Sequence, residues 1–335
     1  MFAPNTLCAL SVVICGYSDA RWNQMLEAVA SIRSQTLPAH DIILVVDHNP
    51  SLMARLAKAL PDITVIENAD QRGLSGARNT GVRATTGDIV AFLDDDATAA
   101  PDWLEQLNGV FDDPDVIAVG GRIEPLWEDA RPAHFAEELD WIVGCTYRGM
   151  PKVAAEVRNV IGANMAFRRA MLERVGGFDT AMGRVGTLPL GCEETELCIR
   201  ASMQLPSSRI VYEPAAVVHH HVPAARASAH YMLSRAWSEG VSKAQVARLV
   251  GRRRALHSER HYARVVLPRA FVAGLRDWRR RDGSGLRRSA MVLAVLTATT
   301  AGYTQGWMSI TVRSLARVAR SLPGASNEGE YEHAA

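Results

Sequence analysis

Ile89-Val90-Ala91-Phe92-Leu93-Asp94-Asp95-Asp96 is the stretch that decides the fold. Its apolar residues, preceded by Gly87-Asp88 and followed by three acids, have the length and composition of a strand buried on both faces. In an open parallel sheet, ligands bind beyond the carboxyl ends of the strands, where these carboxylates fall. Adjacent like charges repel, so the triplet favours a nearby cation or hydrogen-bond donors. Hard oxygen ligands suit Mg²⁺ or Mn²⁺. The plainer alternative is a solvated acidic turn that caps the helix opened by Pro101.

Working outward, similar apolar runs predict strands at Leu10 to Cys15, Asp41 to Val46, Ile63 to Glu67 and Val116 to Val119. Met25, Leu26, Val29 and Ile32 recur at helical spacing between the first two, and Trp103, Leu104 and Leu107 do so after Pro101. The alternation predicts an α/β domain with a mainly parallel sheet flanked by crossover helices. At 335 residues and 48% hydrophobic, the chain can bury a large core. The run from Leu7 to Ile14 has no Lys or Arg before it, so it is expected to be a buried strand rather than a signal peptide. Its five cysteines include no C-x-x-C pair, which points away from zinc and disulfide frameworks and toward a reducing cytoplasm.

The net charge of +1 hides a division. Residues 226–320 hold 19 Lys and Arg against 4 Asp and Glu, so the chain before them is acidic. The expected domains are therefore 1–225, catalytic, with nucleotide binding at about 8–120 and the acceptor side at about 121–225; 226–320, basic and helical; and 321–335, a disordered tail. Arg252-Arg253-Arg254, Arg279-Arg280-Arg281 and Arg287-Arg288 lie among Trp237, Leu267, Phe271, Leu275 and Trp278. That patterning suits an anionic membrane surface, and no nucleic-acid motif accompanies the charge. A solvated helical face is the simpler alternative. Residues 289–312 carry no charge over 24 positions, but threonines and glycines dilute them, so helices lying on the membrane or packed on the catalytic domain are expected rather than a span.

Other residues carry weaker signals. Asp47 ends the second strand and could accept hydrogen bonds from a nucleoside or merely form a turn. In Gly73-Leu74-Ser75-Gly76-Ala77-Arg78-Asn79-Thr80-Gly81, glycines would let backbone approach a nucleotide and Arg78 could contact base or phosphate. This is neither a Walker A loop nor G-x-G-x-x-G, and a plain helix entry fits equally. Glu193 and Glu194 stand at the start of an apolar-periodic helix, as a general base or as dipole-matched acids. His219-His220-His221 ends an apolar run, either as a polar strand end or with one imidazole completing a metal site on Asp96.

In this order the motifs resemble family 2 glycosyltransferases of the GT-A fold. They are Leu10 to Ile14, Val46-Asp47, Gly76 to Gly81, Phe92 to Asp96 with Pro101-Asp102-Trp103, Gly162 to Arg169, Gly176-Gly177-Phe178-Asp179, Glu193 to Leu197, and Pro214 with the histidines. The resemblance implies inverting transfer from a nucleoside diphosphate sugar, usually UDP-linked. It implies that Asp47 reads the base, that Arg78, Asp94 and Asp95 help hold the nucleotide sugar, and that Asp96 with His220 binds Mn²⁺ or Mg²⁺. It puts Glu194 in the place of the catalytic base, although the family commonly has Glu-Asp here, leaving Glu193 as substitute. Val119 to Trp127, Leu139 to Gly144 and Tyr147-Arg148-Gly149 look like the subgroup that acts on lipid-linked sugars, including glucuronosyltransferases of glucosyl dolichyl phosphate. The implied partners are a nucleotide-sugar donor and a glycan or polyprenyl-linked acceptor, met at the inner face of the cell membrane. The competing functions are a sugar-phosphate nucleotidyltransferase, whose basic Gly-rich loop is missing at Gly16-Tyr17-Ser18-Asp19, and a non-catalytic sugar-binding protein of the same fold.

Overall fold

The computed structural model describes residues 8–183 and 191–321. Strand β1 (Leu10–Gly16) is followed by α1 (Trp22–Arg33), β2 (Asp41–Val46), α2 (Pro50–Ala59), β3 (Thr64–Glu67), α3 (Leu74–Ala84) and β4 (Ile89–Asp94). β-branched residues fill β1 and β2, and both strands are covered by helices, so their apolar runs are nearly continuous. Helix α1 buries Met25, Ala28, Val29 and Ile32, one stripe at 3.6-residue spacing. Pro50 opens α2, and the Asn49 side chain caps it by accepting from the Leu52 amide at 3.2 Å.

The second half is built differently. It runs β5 (Ala97–Ala99), α4 (Trp103–Val110), β6 (Val116–Trp127), β7 (Ala155–Glu156), β8 (Asn164–Arg168), α5 (Arg169–Val175), α6 (Glu193–Gln204) and β9 (Arg209–Val222). The strand order is β3-β2-β1-β4-β8-β6-β9-β5, with β7 on β9. Strands β1 to β4 are parallel, as is the β6–β9 pair. Strands β5, β7 and β8 run antiparallel to their neighbours, so the sheet is mixed. Strand β6 continues eight residues past the expected Val119, carried by its long parallel pairing with β9.

Asn164 fastens this half. Fully buried, it accepts from Trp103 Nε1 at 2.8 Å and donates to the carbonyls of Arg122 and Ala216, both at 2.9 Å. One side chain thereby satisfies groups on α4, β6 and β9 that would be costly to bury alone.

Helices α7 (Ala229–Val250), α8 (Arg252–Ala255), α9 (His257–His261), α10 (Leu267–Arg279) and α11 (Ser284–Ser321) complete the described chain. Met232, Ala236, Leu267, Ala270, Val292 and Val295 join Ile123, Leu139, Ile142 and Val143 of the sheet side in one core. No helix among the described residues is long and apolar enough to cross a membrane. The uncharged stretch 289–312 instead lies in α11, packed along α7 and α10 at close backbone distance. A Cβ on Gly302 would come 2.1 Å from the Trp237 carbonyl oxygen, and one on Gly240 2.1 Å from that of Thr299. The hydroxyls of Thr297, Thr299, Thr300 and Thr304 each donate to the carbonyl one turn back, so they stand in the helix without unpaired groups. Of the expected tail, residues 322–335 lie outside the described residues.

Candidate active site

Strand β4 delivers the acids in a turn that is buried rather than solvated: Asp95 is 3% and Asp96 5% exposed. Arg21, just beyond β1, binds both, contacting Asp95 closely and placing Nη2 2.9 Å from Asp96. Arg226 adds a contact to Asp96 at 3.5 Å. Strand β9 brings His220 Nε2 to 3.1 Å from Asp96 Oδ1. Pleat alternation settles which histidine faces inward: Val218, His220 and Val222 are buried, while His219 and His221 are not. Burial alone would raise Asp96, but His220, Arg21 and Arg226 together hold its carboxyl well below the usual range. Burial would lower His220, but Asp96 outweighs it and lifts the imidazole to about 10. Burial, with Asp96 and Asp94 beside it, pushes Asp95 up to about 7 against the pull of Arg21.

Asp94, Asp96 and His220 each offer an atom within 4.8 Å of the others, a set that can hold a divalent cation. Among the described residues the buried Asp95 Oδ2 has no hydrogen-bond partner, and Asp96 Oδ1 has the His220 imidazole beside it, oxygens that a cation at this place would satisfy.

Asp47 accepts from Asn68 Nδ2 at 2.7 Å, the Gly73 amide at 3.0 Å and His48 Nδ1 at 2.9 Å. It therefore shapes the entry to α3. Of the glycines in that helix, Gly81 lets it seat on β1, where a Cβ would meet Val13 Cγ1 at 2.4 Å, and Gly76 lies against the Gln71 carbonyl oxygen, which a Cβ would meet at 2.0 Å. Arg78 is buried beneath Phe92 and Phe178, and it places Nη1 2.8 Å from Glu193 and Nη2 3.5 Å from Asp94. Next to it, Asn79 exchanges two hydrogen bonds with the Phe178 backbone, at 2.8 and 2.9 Å. Two segments far apart in sequence thus lock together.

Glu193 and Glu194 behave differently although adjacent. Glu193 is committed to Arg78. Glu194 is half-buried, forms no ion pair among the described residues, and lines a cavity with Arg78, Asp94 and Gly162. Burial, then the neighbouring Glu193, raises its carboxyl to about 8, with Arg78 acting against the shift. A carboxyl that titrates near neutrality at a cavity wall is suited to proton transfer. Cys192 before it takes a left-handed conformation (φ 72°) and donates to Glu239 Oε1 of α7 at 3.3 Å. Arg235 and Lys243 hold that glutamate, so α7 supports the start of α6.

The glycosyl transferase family 2 profile matches residues 11–176. Over 238 residues the chain is 38% identical to a glucosyl-dolichyl phosphate glucuronosyltransferase of Haloferax volcanii, spanning 70% of this chain and 76% of that protein. The chain belongs to glycosyltransferase family 2. This family 2 chain is also 37% identical over 160 residues to a pre-mycofactocin glycosyltransferase of Mycobacterium tuberculosis, covering 48% of this chain and 32% of that one. A Pyrobaculum calidifontis mannosyltransferase, solved in complex with GDP-Man and Mn²⁺, matches with a TM-score of 0.54 at 22% identity over 94% of this chain and 82% of that chain. That likeness is of fold, and it is the GT-A fold. The family is one of glycosyltransferases, which leaves the nucleotidyltransferase alternative without support.

Arg21, Arg226 and Glu239 were not legible as site residues in the sequence. Arg21 offered one signal, a basic residue shortly after the first strand. Arg226 and Glu239 belong to the basic segment, where nothing local marks them.

Proposed function

We propose that this family 2 enzyme transfers a sugar, with inversion, from a UDP-linked donor to a lipid-linked or glycan acceptor, and that the sugar is glucuronate. What supports the reading is Glu194, a carboxyl with no ion pair among the described residues that lines the cavity with Arg78 and Asp94, together with the likeness to a glucuronosyltransferase. Asp94, Asp96 and His220 are the residues that would hold Mn²⁺ or Mg²⁺. The chemistry such an ion supplies when bound is neutralisation of charge developing on a leaving diphosphate.

Glu194 takes the proton of an acceptor hydroxyl as that oxygen forms its bond to the anomeric carbon. The bond from that carbon to the diphosphate oxygen breaks on the opposite face, and the electron pair leaves with the nucleoside diphosphate. Arg78 keeps Glu193 out of this exchange and spaces the base from Asp94. Asp47 and Asp95 help bind the nucleotide sugar. The exposed arginines of α10 keep the enzyme peripheral on the inner face of the cell membrane.

The test is turnover of a panel of UDP- and GDP-sugars with and without Mn²⁺, using the parent and Asp96→Asn. UDP-glucuronate turnover should depend on the metal, and Asp96→Asn should lose Mn²⁺-supported UDP binding while keeping its fold. Equal Mn²⁺-supported UDP affinity in the two proteins would sink the metal assignment, and preference for a GDP-sugar would sink the donor.

A further inference from the structure

The acidic turn after β4 is neutralised from within the chain. Arg21, in the single turn Asp19–Arg21 that leads into α1, contacts Asp95 closely through Nη1 and places Nη2 2.9 Å from Asp96 Oδ2. Arg226, in the turn Ala224–Ala227, reaches the same Asp96 oxygen at 3.5 Å. His220 Nε2 stands 3.1 Å from the other oxygen, Oδ1. Two guanidiniums thus match two carboxylates, and both oxygens of Asp96 face a basic side chain.

Asp96 cannot serve both these guanidiniums and a divalent cation held with Asp94 and His220 without a surplus of buried positive charge. Relief requires an arginine to turn away, and Arg21 is the better placed. It pairs with Asp95 as well as Asp96, whereas among the described residues Arg226 pairs with Asp96 alone, so only the departure of Arg21 frees both acids. Its side chain is 20% exposed while both acids are nearly inaccessible, so it reaches them from the solvent side. The Tyr17 ring, itself exposed, lies 5.8 Å from its guanidinium and offers a face outside the acids. A freed guanidinium suits phosphate oxygens, which its planar fork matches in two-point contacts.

We propose that Arg21 is an exchangeable counter-ion of Asp95 and Asp96: it yields the acids to a divalent cation and passes to the diphosphate of the nucleotide that binds with it. The inference rests on the assignment of Asp94, Asp96 and His220 to that cation, and it adds a coupling. A cation alone leaves the displaced guanidinium without an anionic partner, whereas a cation with a nucleoside diphosphate supplies one. Metal and nucleotide then tighten each other's binding by the same factor, and Arg21 provides part of it.

Titration of Mn²⁺ into the full chain, followed by electron paramagnetic resonance of the free ion and run with and without UDP, tests it. Without UDP, R21Q should bind Mn²⁺ about fivefold or more tightly than the parent, a gain that an arginine with a purely structural role does not give. UDP should tighten Mn²⁺ binding by a smaller factor in R21Q than in the parent. R226Q controls for charge alone, since it removes one positive charge from the same carboxylate and leaves Asp95 paired; it should gain less than R21Q. R21K keeps the charge but loses the fork that spans both acids. It should also bind Mn²⁺ more tightly than the parent, which decides the matter if R21Q does not fold. Mn²⁺ affinity without UDP that is unchanged or weaker in these Arg21 variants overturns the proposal, as does an equal gain in R226Q or an undiminished effect of UDP. The metal assignment fails distinguishably: if neither parent nor R21Q binds Mn²⁺ even with UDP, both ideas fall, whereas equal binding by the two sinks the role of Arg21 alone.

Discussion

Glu193 and Glu194 show how one position along a helix separates two identical side chains. The first turn of α6 points Glu193 at Arg78, where both side chains are nearly inaccessible, while Glu194 faces the cavity. Glu194→Gln should therefore leave donor affinity near normal and cut turnover by about a hundredfold or more. Glu193→Gln should appear first as lost stability, about 3 kcal/mol, because it leaves Arg78 buried with a weakened partner. Equilibrium unfolding and steady-state kinetics on both variants check the division, and a reversed pattern would move the base to Glu193. The pH dependence has a definite sign. A base acts only when ionised, and burial with Glu193 raises Glu194 to about 8. In the parent, kcat/KM should thus climb as pH rises through about 8, and in Glu194→Gln that limb should flatten. Because the folded-state value is raised, protonated Glu194 favours the fold at low pH, and this contribution fades as pH rises through about 8.

Among the elements, the α7–α11 pair explains a stretch whose composition is ambiguous. Twenty-four uncharged residues interrupted by threonines and glycines fit neither a bilayer span nor a soluble amphipathic helix well. The glycines mark backbone contact between helices, and the threonine hydroxyls are satisfied within α11. Gly302→Ala should cost about 1–3 kcal/mol, the usual range for overpacking, since the added methyl has only the Trp237 carbonyl to meet. Gly283→Ala is the control, as nothing lies within 4 Å of a Cβ there. Equal denaturation midpoints for the two variants would mean that the helices separate without cost.

For the whole molecule, charge is divided between an acidic first part and the basic helical segment that follows residue 225. Some of the basic residues are already paired within the chain: Arg288 contacts Asp277 at 2.7 Å and Asp282 at 2.8 Å. Leu267 is buried, whereas Trp278 is 50% and Trp237 40% exposed. The basic helices are expected to bring full-length protein onto anionic vesicles at low salt, with release as salt rises and screens the attraction. Flotation at two ionic strengths measures this. Protein that stays unbound at low salt would leave the basic helices as packing for the catalytic half.

What the sequence determined by itself was local. Periodicity fixed the first four strands within a residue or two and the inward face of α1 and α4, because strand and helix repeats are written into neighbouring residues. The ordered motifs marked the acids, Arg78, the glutamates and the histidines. Tertiary structure decided how they divide their roles. The pleat of β9 turns His220, the histidine the motifs had already marked, inward and leaves His219 and His221 outside, and the fold sets Arg78 against Glu193, 115 residues away in sequence. The antiparallel strands of the second half, and the helix α7 that supports Cys192, depend on which surfaces meet after long excursions of chain. Contacts of that kind leave no short-range pattern, since their energy comes from burial and charge pairing between segments that are neighbours only once folded.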